Sequence, residues 1–432
     1  MHKIRTLGVL GISVMLVASA CGSSSKKSST SSTTAASNGG TTATTASTAG
    51  NTASDVGVTP TQITIGNIVT LTGPVPGLFA GGQAATDAYF QYINSLGGVN
   101  GRKLVMKGGD DGLNCNQYQS QLQAIGSSVF AFVGTWSDFD NCGVAYFQAN
   151  PTIPDVHYLL SSQSYSEPAG FTPQPQPPGF RTGPYQYYAQ KYPDAVKKVG
   201  ALWTTSSPTT WANQKAAMQS VGFTIIYDRG TQPTETDFTA DIVRMKSLGV
   251  QYLDLRNQGV TTIAAAMNAA AQQNWHPQVV VTNSEYDPTF FKLLSDPANG
   301  NGILTDQPFA MFLGEDAATN PEVQLFDTWM KKTHPSQTID LFGMFSWAAA
   351  KLFVDALKAA GQNPTRQAVV DALKNIHNFD DNGMVAAADT GNKKPPSCWL
   401  LLQVENGKFN RVLPADKGYA CSPTGYYLAP GQ

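Results

Sequence analysis

Two short stretches carry residue types suited to holding a small polar solute. Gly134-Thr135-Trp136-Ser137-Asp138 follows an apolar run ending at Val133, and Leu160-Ser161-Ser162-Gln163-Ser164 follows one ending at Leu159. Hydroxyls and backbone N–H groups freed ahead of a helix can grip a carboxylate. Each serine could equally cap a helix or close a turn. Two similar loops come later: Arg256-Asn257-Gln258 after a run ending at Leu255, and Asn283-Ser284-Glu285-Tyr286 after one ending at Thr282. A carboxylate such as Glu285 needs a cationic partner if a closing cleft encloses it, because unpaired buried charge is costly. On an open loop it is simply solvated. Catalysis has less support. There is no G-x-S-x-G, G-x-x-x-x-G-K-[ST], G-x-G-x-x-G or H-E-x-x-H. The histidines, His2, His157, His276, His334 and His377, are too scattered to assemble with a nucleophile and an orienting acid by spacing. No enzyme activity and no cofactor are expected.

The elements that must position these loops alternate. Ile63, Ile65, Ile68 and Val69 read as a strand, followed by a Thr/Gly/Pro loop from Thr70 to Gly82. Ala84, Ala85, Ala88, Tyr89, Tyr92, Ile93 and Leu96 recur at helical spacing, ending at Gly97-Gly98, where glycine can adopt the left-handed cap. Strands are expected at 102–107, 129–133 and 153–159, with helices at 116–125 and 140–148. After a Pro/Gln-rich break at 161–178, a second series gives strands at 199–203, 223–227, 250–255 and 279–282. Its helices fall at 210–221, 237–248 and 261–272. Helices at 321–332, 345–360 and 365–376 follow. A hairpin turns at Asn406-Gly407, a pair that favours the type I′ turn. The fold class is therefore α/β, with two doubly wound parallel-sheet lobes joined by a hinge.

The ends of the chain suggest export. His2, Lys3 and Arg5 precede a short apolar run, Leu7 to Ala20, that closes on small residues before Cys21. That run is too short to span a bilayer, where about 20 residues are needed, and reads as a signal peptide over 1–20. Residues 22–55 are almost wholly Ser, Thr, Ala, Gly and Asn and cannot bury an apolar face. A coil of that length reaches roughly 30–35 Å, enough for a tether. Charged residues make up only 13%, and the net charge of −2 gives no electrostatic case for nucleic acid. Cys115, Cys142, Cys398 and Cys421 remain, an even number in an exported chain, which implies disulfides. Three pairings are possible. Cys115–Cys142 and Cys398–Cys421 are favoured because each closes a local loop, contributing roughly 3 kcal/mol in the chain-entropy model. No C-x-x-C or neighbouring histidine points to a metal.

The strand, the T-G-P loop, the helix and the phrase I-N-S-L-G-G-V-N-G-R-K-L resemble the opening of the type I periplasmic binding proteins, in their leucine/isoleucine/valine receptor branch. The likeness continues from about Pro60 to about Leu413. It implies an extracytoplasmic solute-binding protein that captures an amino-acid-like ligand and delivers it to an ABC permease. By position it assigns Ser137, Ser161, Ser162 and Gln163 to the ligand's α-carboxylate and α-amino groups, and Glu285 to the ammonium. Phe79 and Trp211 fall where the family places aromatics, and Asn257 joins them from the second lobe. Trp136 either lines the cleft or covers the core. The resemblance also supports the Cys115–Cys142 pairing. Cys21, after small residues, resembles a lipoprotein processing site, although Ala18 stands where leucine is favoured. The implied plan is a signal peptide at 1–20, a lipidated cysteine and tether at 21–59, lobe 1 at 60–182 plus 307–385, and lobe 2 at 183–306 plus 386–432. Trp136, Trp211 and Arg256 depart from the branched-chain pattern, so an amide, a short peptide, an aromatic acid or a polyol-like solute stays open. Two other readings are an envelope sensor of the same fold and an exported hydrolase.

Metabolic labelling with a lipid probe should mark the parent chain and spare Cys21→Ser; equal labelling of the two would remove the anchor.

Overall fold

The computed structural model describes residues 50–430, apart from Ser162, Pro233 and Pro423. The signal peptide, Cys21 and nearly all of the tether lie outside the described residues.

Five parallel strands form the first sheet: β1 (Gln62–Val69), β2 (Lys103–Asp110), β3 (Ala131–Val133), β4 (Asp155–Val156) and β5 (Gly170–Phe171), in the order β2-β1-β3-β4-β5. Helices α1 (Ala80–Ser95), α2 (Cys115–Gly126) and α3 (Val144–Ala149) connect them. The chain then runs through a short strand, β6 (Gly179–Arg181), and α4 (Gly183–Lys191). A second sheet follows. It contains β7 (Val199–Thr204), β8 (Ile225–Thr231), β9 (Tyr252–Asp254), β10 (Val279–Thr282) and β11 (Leu304–Gln307). Its connecting helices are α5 (Pro208–Ser220), α6 (Thr239–Leu248), α7 (Val260–Gln272) and α8 (Phe290–Leu293). The order of its parallel part, β8-β7-β9-β10-β11, repeats that of the first sheet. Both sheets thus reverse direction beside their first strand, and in such sheets ligands lie at the carboxyl ends of the strands near that point.

Three helices then return to the first sheet: α9 (Pro321–Thr333), α10 (Leu341–Ala359) and α11 (Arg366–Lys374). Helix α10 packs along α1 and against β3 and β4. The chain ends in the second sheet with the hairpin β12 (Cys398–Glu405) and β13 (Lys408–Leu413), then β14 (Ala420–Cys421) on β12 and β15 (Tyr426–Leu428) on β6. Glu405 pairs with Lys408 across Asn406 and Gly407, both at positive φ, as the type I′ turn requires. The connections between the sheets bond to one another. Ala310 N–H donates to the Met384 carbonyl at 2.8 Å, and Ala386 N–H to the Pro308 carbonyl at 2.7 Å.

Sequence and packing agree closely in α1. The first half of its buried face, Gly81, Gly82, Ala84, Ala85 and Ala88, is small, and the second half carries Tyr89, Phe90 and Ile93, with Tyr89 meeting Trp347 of α10 at 4.8 Å. A Cβ on Gly82 would come within 2.6 Å of the Trp136 ring. The helix ends as expected at Gly97 and Gly98, φ 99° and 76°, and a Cβ on Gly98 would strike the Arg102 carbonyl at 2.0 Å. Arg102, from the G-R-K-L phrase, is fully buried. Its guanidinium donates to the carbonyls of Thr59 (2.7 Å) and Thr52 (2.9 Å) and to Asn363 Oδ1 (2.9 Å). That phrase is therefore structural.

Both disulfides form as favoured, Cys115–Cys142 and Cys398–Cys421. Two elements differ from expectation. The strand expected at 153–159 is only Asp155–Val156, with His157 N–H still donating to the Phe171 carbonyl at 3.1 Å before Leu160 and Ser161 turn their N–H groups to Asp140. The helix expected at 140–148 splits into a 3-10 turn, Asp140–Gly143, and α3, where Gly143 lies against Tyr118 of α2 and Cys142 is tied to Cys115.

Behind β4 lies a buried proton-sharing group. Asp155 Oδ1 meets His157 Nδ1 at 3.0 Å. Burial, with Asp155 and Asp140 nearby, pushes the Glu167 carboxyl up to about 10, against the pull of Lys393. A protonated Glu167 supplies the donor that the otherwise orphaned Asp155 Oδ2 needs. A folded-state value above the ordinary one means stability present at low pH and lost as pH rises through about 10. Glu167→Gln, which keeps a donor without the proton, should flatten the fall in melting temperature between pH 5 and 9. At pH 9 it should melt at least about 2 °C above the parent; parallel pH profiles would show that the pair shares no proton.

Candidate functional site

In the first lobe, the loops leaving β1, β3 and β4 converge. Their donors are bonded to the chain's own acids. Thr70 Oγ1 donates to Asp111 Oδ1 at 2.6 Å, and Ser137 Oγ donates to Asp111 Oδ2. Ser137 Oγ also accepts from Phe139 N–H at 3.0 Å. Leu71 N–H (2.9 Å) and Thr72 Oγ1 (2.6 Å) donate to Asp110. Leu160 N–H (2.7 Å) and Ser161 N–H (3.0 Å) donate to Asp140 Oδ2, and Ser161 Oγ sits 2.8 Å from Ser164 Oγ. Asp140 N–H reaches back to the Ser137 carbonyl at 3.3 Å, so the two serine loops are one structure. Gln163 opens a 3-10 turn, Gln163–Ser166, and Ser162 lies outside the described residues.

Beside these loops is an aromatic group. Trp136 stacks on Tyr158, centroids 5.1 Å apart at 15°, and meets Phe342 at 5.0 Å and Phe79 at 5.5 Å. Its Nε1–H donates to the Phe342 carbonyl at 3.1 Å. Phe345 meets Tyr158 at 4.4 Å. Phe79 and Trp136 are both buried, so the structure brings these two expected residues together.

In the second lobe, the expected residues divide. Trp211 stacks on Trp203, 6.0 Å and 8°, inside that lobe's own core. Asn257 sits at φ 59°, takes Asn283 Oδ1 on its N–H at 3.1 Å, and donates through Nδ2 to Gln214. Glu285, just past β10, is fully buried, and neither carboxylate oxygen has a partner. Burial pushes it up to about 8, with Asp306 adding and the backbone N–H groups of Glu285 and Ser284 and the Arg256 guanidinium opposing. Arg256 is itself buried, paired with Asp306, 3.8 Å from Asp254 and 4.2 Å over the Tyr185 ring.

The start of α10 adds a further buried acid beside the first set. Asp340 caps the helix, accepting from Gly343 N–H at 2.7 Å, with its carboxylate over Gly81 of α1. Burial pushes it up to about 6, and Asp287, two residues past Glu285, adds to the shift. The end of β10 is therefore within electrostatic reach of the helix that carries Phe342. Sequence reasoning missed Asp111, Asp140, Tyr158, Phe342 and Asp340. Asp110-Asp111 at a strand end, and Asp340 ahead of an apolar run, were the available signals.

Among the described residues, no helix is long and apolar enough to cross a membrane, and no group of His, Cys, Asp and Glu could hold a metal ion. Two sheets of the same strand order, joined by bonded crossings with polar loops at their carboxyl ends, define a solute-binding protein. The chain belongs to the periplasmic binding protein family, whose model matches residues 62–408. The Leu/Ile/Val-binding protein homolog 3 of Brucella melitensis is 24% identical over 362 residues, covering 80% of this chain and 92% of that protein. A branched-chain amino acid ABC transporter protein from Thermus thermophilus, solved with bound valine, superposes with TM-score 0.68 at 17% identity, covering 84% of this chain and 97% of that one. A fatty acid ABC transporter substrate-binding protein from Thermomonospora curvata gives TM-score 0.68 at 18% identity, covering 85% and 94%.

The raised value of Glu285 sets a sign. Its stabilising protonation is complete below the ordinary carboxyl range and is lost as pH rises through about 8. Glu285→Gln should melt above the parent at pH 9 and draw level near pH 5. A variant less stable than the parent at pH 9 would mean that Glu285 has a partner.

Proposed function

We propose that the chain is an extracytoplasmic, lipid-anchored solute receptor of an ABC transporter, closing two lobes on a small ligand that carries an amino group and presenting it to a permease. Glu285 carries the reading: a buried carboxylate with no partner is a site waiting for a cation. The family supports the transport role, and the named relatives bind amino acids or fatty acids according to their descriptions. The lobes are taken as 60–182 with 307–385 and 183–306 with 386–432, hinged where Pro308, Ala310, Met384 and Ala386 bond. The signal peptide, the tether and Cys21 supply the anchor. Capture is differential affinity of open and closed states, with no covalent step.

Native mass spectrometry of the purified protein should show a bound small molecule. Isothermal titration with that solute should be weakened at least tenfold by Glu285→Ala. An unchanged affinity would defeat the site, and a protein that retains and binds nothing would defeat the receptor reading.

A further inference from the structure

Arg181 lies on β6, where the chain passes from the first sheet to the second, and its backbone pairs with Tyr426 of β15. The side chain is half-buried, and its Nη1 is enclosed without an acceptor. Other arginines that reach inward are engaged: Arg102 and Arg366 with carbonyls, and Arg229, Arg256 and Arg411 with acids. A guanidinium nitrogen shut from water without an acceptor is costly until something completes it.

The neighbours of Arg181 are donors as well. Burial pushes the Tyr158 and Tyr426 hydroxyls up and the Arg181 charge pulls both back, which places the guanidinium close to each. Tyr426 spends its proton on the Pro177 carbonyl at 2.6 Å. Tyr158 and Tyr165 act as acceptors instead, from Gln176 Nε2 and from Gln176 N–H respectively. Among the described residues, neither phenol proton has an acceptor of its own. Burial raises both groups, so both protons stay in place at neutral pH. The acid felt by Tyr165, Asp140, is already held by the N–H groups of Leu160 and Ser161. One cation and two neutral O–H donors are therefore gathered around Gln176. Tyr158 belongs to the loop after β4, so the group adjoins the strand ends where doubly wound sheets take their ligands.

We propose that this group is an anion subsite of the cleft, in which Arg181 and the hydroxyls of Tyr158 and Tyr165 take a carboxylate of the solute. A guanidinium receives a carboxylate through two parallel N–H···O bonds. A single positive charge with two neutral donors matches a monoanion better than a dianionic phosphate. The proposal rests on the receptor reading above: the solute brings an acidic group to Arg181 beside the amino group that Glu285 awaits. Because β6 is part of the crossing, opening of the lobes uncovers Nη1 and closure encloses it with the ligand.

Pairs of acid and amide test this: L-leucine against L-leucinamide, L-phenylalanine against L-phenylalaninamide, and 4-aminobutanoate against 4-aminobutanamide. Each is titrated calorimetrically into the full chain, and into its Arg181→Gln and Tyr158→Phe variants, at about pH 6, where every amino group is charged. In the parent, at least one acid should bind about tenfold or more tighter than its amide. Arg181→Gln should cut that ratio at least about fivefold, and Tyr158→Phe, which keeps the ring and removes one donor, should cut it roughly two- to fivefold. A ratio that survives Arg181→Gln puts the carboxylate elsewhere and overturns the proposal, while the receptor reading stands. Equal binding of acid and amide by the parent does the same. Proportionate losses of acid and amide in Arg181→Gln mean that the residue only shapes the crossing, and also overturn it. If all six are silent, the solute found by native mass spectrometry and its amide become the deciding pair. A solute without an acidic group overturns the proposal and keeps the receptor reading; a protein that retains nothing removes both.

Discussion

A buried carboxylate must find donors, and here the loops at the ends of the parallel strands supply them. That constraint orders the region where the two sheets meet. Asp111 takes the hydroxyls of Thr70 and Ser137, and Asp140 takes the N–H groups of Leu160 and Ser161. These bonds fix the loops after β1, β3 and β4 relative to one another, because each aspartate is shared between two loops. Charge-assisted bonds of this kind are roughly twice as strong as neutral ones, so the first lobe enters any binding event already rigid.

Size works beside charge. Trp136 stands where it does because Gly82 leaves room for it, and because α1 and α10 present small residues to each other. Phe342 is carried on the first turn of α10 and Phe79 at the entry to α1. The aromatic group therefore forms where this helix–helix contact meets Trp136 and Tyr158 on the loops after β3 and β4. An added methyl at Gly82 would disturb the site through packing alone. The exposed faces of both helices play no part in it.

Much of the fold was legible because it depends on local rules. The positive φ at Gly97, Gly98, Asn406 and Gly407 follows from residue type, and the alternation of strands and helices follows from periodicity. The pairing of Cys115 with Cys142 and of Cys398 with Cys421 followed from loop length. The site was legible only in outline. Ser137, Ser161 and Glu285 could be placed at strand ends, but their partners lie far along the chain: Asp111 is 26 residues from Ser137, and Asp140 is 21 from Ser161. Nothing local says that a serine's hydroxyl will be consumed by an acid from another loop. Trp211 shows the reach of packing from the other side. Its surroundings in sequence are polar, yet it stacks on Trp203 within a core that only the assembled sheet creates.

The contrast between Glu285 and its neighbours carries the functional argument furthest. Asp254 and Asp306 are equally buried, but Arg256 stands with them, and Gln214 donates to Asp254 at 2.9 Å. Glu285 lies within reach of the same arginine, and yet no side chain donates to it; only the backbone N–H groups of Glu285 and Ser284 oppose its shift beside Arg256. In a permanently closed protein that arrangement is a standing cost without return. In a hinged one it biases the unliganded chain toward the open state, where water can solvate the carboxylate. On the receptor function proposed above, a cationic group that enters would remove the bias, and its differential affinity for the closed form would be the work available for closure. On the same proposal, an acid left unmatched in the enclosed form would couple occupancy to lobe position, and replacing it with a neutral side chain would gain stability by giving up that coupling.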